Sequence, residues 1–517
     1  MNGSFSLAFA GRALSRSAAL VALLFALELV AILALTRGQF TYSLDDAYIH
    51  LALAEQVRAG HYGISDGVPS SPSSSILWPF LLAPWANTRA FEYIPLALNY
   101  LGSVALGGVF FAYLERLGGV RLAQRGKDAF VLLGLILVNA VPLAFMGLEH
   151  SLQVLCSALV AFGLVTFDRS APVRPWLLCA IALGPLVRYE SFALALASAL
   201  FFWWERRRGL ALGVFGLSVA LPLAFSAFLL SLGLPALPLS VLAKSLIPLD
   251  QGVGPAATAI FSQVEYALVH SNRGPVFMLI GLGLIARVSK GELPGDRNLG
   301  GAALLPILLH GVFGQWGRYE LYLWCFELMI LGWLFRERAS RALEESRRTL
   351  WLFGICVLLL GAPYVARVFQ TPFGARSIRA QQGSTARVAK ALGEPVAVND
   401  LGLVAFHTRA FVLDLYGLAS LEALQARRQG GRGYIEELVR KHDVRVVAIY
   451  PSWFPGQIPR AWLPVGEIVD DRPWGSTAEP EVMFYATEPE VVPELRRALE
   501  EIRVKPSAGE SVRLLVP

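Results

Sequence analysis

Charge is scarce in this chain. Lys, Arg, Asp and Glu make up 16% of its 517 residues, where a soluble globular protein carries about a quarter. That deficit excludes an ordinary soluble fold. Cysteine is scarce as well. The four present, Cys156, Cys179, Cys325 and Cys356, are scattered through apolar segments. They form neither a disulfide framework nor a metal site and read as small packing hydrophobes. No G-x-x-x-x-G-K-[ST] loop occurs, so nothing supports ATP-driven transport. His50 and His61 lack zinc-like spacing. There is no internal repeat and no low-complexity segment. The net charge of +6 does not point to nucleic acid, because the basic residues cluster in short loops between apolar runs.

What the chain has in abundance is apolar sequence: 55% of residues are hydrophobic and the mean hydropathy is +0.53. The apolar residues fall in blocks at about 17–36, 76–86, 93–114, 129–146, 151–167, 175–187, 191–204, 209–231, 274–286, 300–314, 320–335 and 349–366. A helical span needs about 20 such residues, so the blocks predict a polytopic α-helical membrane protein of about eleven spans. Blocks 76–86 and 175–187 are short for full crossings, and the first can dip in and return. Arg12 and Arg16 precede the first block, no small-residue cleavage site follows it, and it reads as a retained helix with a cytoplasmic N-terminus.

Basic residues set the sidedness. Placing the clusters at 116–127, 169–174, 206–208, 287–297 and 336–348 with the N-terminus in the cytoplasm puts about nineteen Lys and Arg inside and about seven opposite. Four polar motifs then fall at outer helix ends: "SLDDAYIH" (43–50), "GLEHS" (147–151), "VRYES" (187–191) and "GRYE" (317–320). Lys244, in an outer loop over 232–273, joins them. Charges from five places in the sequence converge on one surface, which a single site explains. The expected division is a membrane domain, 1–367, with outer loops 37–75 and 232–273, then an extracytoplasmic α/β domain, 368–517. In the latter, "EPVAVNDLGLVAF", "AFVLDLYG" and "DVRVVAIY" read as buried strands, and 488–503 contains a charged helix.

Asp45 and Asp46 carry the sharpest question. One aspartate can cap the helix that starts at "AYIHLALAEQVRAG". Two adjacent side chains on a helix project about 100° apart, so they need not share a partner. Carboxylates at membrane level are otherwise functional by default, as a general base or as a pair holding a divalent ion. Arg188, Glu190, Glu149, Arg318 and Glu320 can be structural ion pairs or parts of the same site.

Several of these residues also match a family. "DDAYIHLALAEQVRAGHYGISDGVPSSPSSSILWPFLLAP" (45–84) resembles the first outer loop of GT-C superfamily glycosyltransferases. It is especially similar to the branch with the mycobacterial arabinofuranosyltransferases, which use polyprenyl-phosphate sugars. "GLEHSLQ", "VRYES", "LPLSVLAKS", "GRYELYLW" and "VNDLGLVAFHTRAFVLDLYGLAS" resemble, in order, further motifs of that branch through about residue 420. The chain departs from it at "HLA" after "DDAYI", at "RYES" in place of R-P-E-G, and at "SVLAK", which lacks an Asn and a Tyr.

The resemblance implies inverting transfer of a sugar from a polyprenyl-phosphate donor to a hydroxyl of an envelope glycan or glycolipid. It places the enzyme in a bacterial inner membrane, with site and C-terminal domain extracytoplasmic. It implies Asp45 as base, with Asp46 orienting the acceptor or helping to hold a divalent cation, Mg or Mn, whose need stays open. Lys244, Arg188 and Arg318 would bind donor phosphate; Glu149, Glu190, His50 and Tyr48 would bind or orient sugar. A transporter or flippase of lipid-linked saccharide, or a non-catalytic envelope scaffold, stays open as an alternative.

Overall fold

The computed structural model describes residues 7–117, 123–245, 253–271, 273–290, 294–338, 341, 347–471 and 476–515. Parts of the expected outer loop 232–273 and of the basic cluster 336–348 lie outside them. Most apolar blocks are helical, but few are long. Among the described residues, three helices have the length and composition to cross a membrane: Gly11–Leu35, Phe91–Leu117 and Arg208–Ser231. Two bent pairs, Gly254–His270 with Gly274–Ser289 and Gly354–Leu360 with Ala362–Leu392, raise the number to five if each counts as one span.

About eleven spans were expected, and the difference has a local cause. His150–Val165, Pro175–Val187 and Leu321–Leu334 are apolar but 16, 13 and 14 residues long, only about 20–24 Å at 1.5 Å per residue. The block 129–146 is split into Gln124–Leu137 and Ala140–Phe145 by Asn139, which sits in the left-handed region at φ 56°. Block 76–86 is a six-residue helix, Leu77–Leu82, continued by one 3₁₀ turn. Short helices of this kind end at polar turns, and those turns supply the charged groups considered below.

Residue 367, the expected domain boundary, lies within the helix Ala362–Ala380, which leads through the helix Gln382–Leu392 into a six-stranded sheet. Its strands are β1 (Val396–Val398), β2 (Val412–Asp414), β3 (Val446–Ile449), β4 (Leu463–Asp470), β5 (Glu481–Ala486) and β6 (Glu510–Leu514), in the order β2-β1-β3-β5-β4-β6. β1 pairs in parallel with β2 and β3, Val396 standing opposite Val412 and Val446. The β3–β5, β5–β4 and β4–β6 pairs are antiparallel. The three expected strands match β1, β2 and β3, except that "LGLVAF" forms the helix Gly402–His407. The charged helix is Val492–Val504.

Alternation along the strands decides what each face meets. Val396, Val398, Val446 and Ala448 belong to an apolar cluster shared with Tyr48, Trp78, Leu403 and Val404, so one face packs continuously into the helical body. Ala397, Leu413, Val447 and Ile449 turn the other way, onto Ile435, Leu438 and Trp462. The junction itself is tight. The helix Asp46–Arg58 packs on the helix Gly402–His407, and a Cβ at Gly402 would fall 2.6 Å from the Asp45 carboxylate and overlap its backbone oxygen. Gly402→Ala should therefore undock the two parts, at a cost of ~1–3 kcal/mol typical of overpacking. Limited proteolysis of the purified chain should show faster release of a fragment beginning near residue 380; an unchanged rate would show that the junction has slack.

Candidate functional site

The polar turns meet in one small cavity, lined by Asp46, Ile49, His50, Pro72, Ser74, Leu148, Glu149, Arg188, Lys244, Arg318 and Tyr319. Each charged group enters from a helix end. Asp46 is the first residue of Asp46–Arg58, Glu149 precedes His150–Val165, and Arg188 follows Pro175–Val187. Lys244 ends the helix Leu239–Lys244, and Arg318 stands just before Leu321–Leu334. Gly147 allows Glu149 to come so close. It has φ +72°, and a Cβ there would lie 2.7 Å from Ala47 Cβ and from the Tyr42 ring.

Asp46 is the carboxylate that faces the cations. Its Oδ2 lies 2.8 Å from Arg318 Nη2 and 3.5 Å from Lys244 Nζ. Burial alone would raise its pKa, but the Lys244 ammonium and the Arg318 guanidinium outweigh burial and hold the carboxyl well below the usual range. Lys244 is raised in turn: burial lowers it and Asp46 more than compensates.

Arg188 is differently placed. Its Nη1 donates to Glu149 Oε1 at 2.6 Å, while Nη2 and Nε form a fork on Glu190 at 2.9 and 3.1 Å. Two carboxylates thus neutralise one guanidinium, whereas Lys244 and Arg318 share only Asp46. Arg318 Nε, moreover, is buried with no hydrogen-bond partner among the described residues. The positive excess belongs to the Lys244–Arg318 corner, and Arg188 reads as a brace for Glu149. Tyr319 lies under both guanidiniums, each 4.9 Å from its ring centre.

Three expected residues, Asp45, Tyr48 and Glu190, do not line the cavity. Asp45 turns the other way: its Oδ2 accepts from the Gly402 amide at 2.6 Å and its Oδ1 from the Leu403 amide at 2.9 Å. Tyr48 is fully buried, with its hydroxyl near Glu92 and its ring against Phe406. His50 does line the cavity, its Nε2 3.5 Å from Glu149 Oε2. Glu190 touches it only through Arg188.

The divergence of the aspartates also bears on Mg or Mn. Asp45 is occupied by amide donors and Asp46 by two cations, so they form no chelating pair, and the described residues contain no group of three or more metal-ligating side chains. As they stand, the two carboxylates point at different partners rather than at one shared ligand position.

Sequence reading passed over several participants. Tyr319 was within reach, lying inside "GRYE". Ser71 and Ser74 belong to the S-P stretch: the Leu239 amide donates to Ser71 Oγ at 2.9 Å, and the Ser74 hydroxyl donates to Ser240 Oγ at 3.2 Å, which seats the Lys244 helix. From the sheet domain, Arg428 donates to the Leu242 carbonyl at 2.8 Å and Arg427 to the Ala243 carbonyl at 3.3 Å. Nothing local marks these two arginines, which sit on an ordinary charged helix. Gly63–Gly67 spells G-x-S-x-G, a hydrolase signature that sequence reading also missed. The string forms a turn closed by a bridge from Ser65 to Val68, not the strand-to-helix elbow that exposes a nucleophile.

Behind Asp45 lies a second carboxyl, Asp400, close enough for its charge to act on Asp45. Asp400 Oδ2 also accepts from Gln382 at 2.9 Å and from the Tyr450 hydroxyl at 3.3 Å. Asp45 is pushed up to about 6 by burial, with Asp46 adding to the effect and the Leu403 and Gly402 amides opposing it. Asp400 is raised further, by burial and by both neighbouring aspartates. The folded junction thus holds its proton more tightly than the unfolded chain does. Its contribution to stability is fullest below the ordinary aspartate pKa and is lost as pH rises through about 6. Raising the pH from about 5 to about 8 should lower the thermal midpoint. Asp400→Asn, which removes that second carboxyl, should flatten that slope in scanning fluorimetry; parallel slopes would mean the pair holds no such proton.

Comparison with known proteins adds the following. Residues 376–485 match a family described as a domain of unknown function (DUF8728). No curated protein matches the chain. Among solved structures, the chain is similar to the archaeal oligosaccharyltransferase AglB from Archaeoglobus fulgidus, solved in complex with an inhibitory peptide and a dolichol-phosphate. Identity is 11% and the TM-score 0.49, covering 94% of this chain and 75% of that one. The comparisons do not bring in the arabinofuranosyltransferase branch, and a likeness this distant carries no argument about activity.

Proposed function

We propose that the chain is a membrane-embedded inverting glycosyltransferase that moves a sugar from a polyprenyl-phosphate donor to an acceptor hydroxyl. The reading places the cavity at the outer face of a bacterial inner membrane, the side opposite the basic loops, and makes the acceptor an envelope glycan or glycolipid. One observation carries it: two cations, Lys244 and Arg318, share the single carboxylate of Asp46 in one cavity, although all three arrive from distant parts of the sequence. The ordered motifs that resemble GT-C enzymes give the same direction.

The reaction needs a group to take the acceptor proton and fixed positive charge for the leaving phosphate. Lys244 and Arg318 meet the second need, Arg318 offering a planar fork suited to phosphate oxygens. Asp46, rather than Asp45, meets the first, because Asp46 alone of the two faces the cavity. In the free protein the two cations suppress its basicity. A donor phosphate that engages them draws them from Asp46 and adds a second negative charge beside it, so its proton affinity rises as substrate is bound. The acceptor oxygen then bonds to the anomeric carbon as the carbon–oxygen bond to phosphate breaks. The acceptor proton passes to Asp46, and the electron pair leaves on the lipid phosphate. Inversion follows from the single displacement. Glu149, braced by Arg188, and His50 line the wall against which sugar hydroxyls would rest.

Membranes carrying each variant, supplied with radiolabelled polyprenyl-phosphate sugars, test this. Asp46→Asn should lower transfer at least about a hundredfold at equal folded protein, and Lys244→Ala should raise donor KM. Asp45→Asn should lower the thermal midpoint more than it lowers the rate of the protein that stays folded. Transfer by Asp46→Asn at the wild-type rate would overturn the assignment. A wild type that consumes no donor while lipid-linked sugar crosses the bilayer would replace the transferase with a flippase.

A further inference from the structure

Trp453 is the one aromatic side chain among the large exposed hydrophobics described beyond residue 376, at 37% exposure. It stands in the 3₁₀ turn Pro451–Trp453 that follows β3. Its ring lies 5.0 Å from that of Tyr416 and 5.4 Å from that of Tyr450. The Arg427 guanidinium covers the Tyr416 ring at 3.7 Å. This group is built, not incidental: Asp414 accepts from the Tyr416 amide at 2.8 Å, and the Trp453 amide donates to the Tyr450 carbonyl at 3.1 Å. Beside it, the Ser452 hydroxyl donates to Glu479 at 3.0 Å.

Its position links it to the cavity on two sides. Tyr450 touches Asp400, which lies behind Asp45, the neighbour of Asp46. Arg427 reaches the carbonyl of Ala243, the residue before Lys244. The aromatic surface is thus bracketed by the two segments that deliver the base and the phosphate-binding lysine.

We propose that the exposed ring of Trp453, flanked by Tyr416 under its Arg427 cover and by Glu479, forms a subsite for a saccharide, namely the acceptor; the proposal rests on the transferase reading above. A sugar ring has an apolar C–H face and a rim of hydroxyls. It matches an aromatic plane bordered by a guanidinium and a carboxylate, since Trp and Tyr offer large, rigid faces and a few polar groups fix orientation. A single exposed ring is too small a patch for stable docking of a protein or a membrane surface, which calls for several hundred Å² of contiguous apolar area. It suits one sugar ring.

The test uses the full chain in detergent, with hexose and pentose tetrasaccharides as probes. Binding is read by saturation-transfer NMR and transfer by acceptor and donor kinetics. Trp453→Ala should abolish the saccharide signal and raise acceptor KM about tenfold, with donor KM unchanged and kcat within about twofold; Trp453→Phe should restore most of the binding. Asp46→Asn should bind the same saccharide as wild type. Unchanged saccharide binding and acceptor KM in Trp453→Ala, with wild-type transfer intact, would overturn the subsite and leave the transferase standing. No binding of any probe by wild type would overturn it as well. Trp453-dependent binding without any transfer would support the subsite while removing the transferase.

Discussion

Two neighbouring carboxylates that face opposite ways hold this molecule together. Asp45 spends both oxygens on backbone amides of the sheet domain, and Asp46 spends one on two cations of the helical body. Adjacent positions at a helix start point about 100° apart, so one short turn can serve two directions at once. The arrangement binds the cavity to the junction: whatever moves Gly402 moves Asp45, and with it the first turn of the helix that carries Asp46.

The cavity is not uniformly charged. Arg188 is satisfied twice over, by Glu149 and by a fork on Glu190, and a guanidinium so engaged has little left for a ligand. Lys244 and Arg318 share a single carboxylate, and one buried N–H of Arg318 has no partner among the described residues. Counting basic residues along the chain treats all three cations alike. Counting their partners separates a structural arginine from a pair able to accept an anion.

The same distinction explains what the sequence could and could not reveal. Apolar blocks, basic loops and the convergence of five polar motifs were legible, because length, hydropathy and interrupted patterning are local. β1, β2 and β3 were legible for the same reason, as short β-branched runs between turn residues. The break within 129–146 was not, since Asn139 interrupts a block whose composition reads as continuous. Which of the two adjacent aspartates faces the cations was not legible, because Asp45 is turned away by the amide of Gly402, more than 350 positions distant. Arg427 and Arg428 left no trace at all: their work is done on the carbonyls of Leu242 and Ala243, and no local pattern records a contact to another segment's backbone.

Those two arginines also show why the sheet domain belongs to the site. The helix Leu239–Lys244 has six residues, too few to hold its own shape by backbone bonding. Its C-terminal carbonyls are held by Arg427 and Arg428, its N-terminal end by Ser71, and the Lys244 carbonyl by Gln315 at 2.8 Å. Cations at a helix C-terminus are the favourable sign for its dipole. Lys244 therefore stands where three separate parts of the chain agree to put it. An acceptor resting against Tyr416 and Arg427 would press on the same carbonyls that fix the lysine facing the donor, so the two substrates would be coupled through one short helix rather than through the cavity itself.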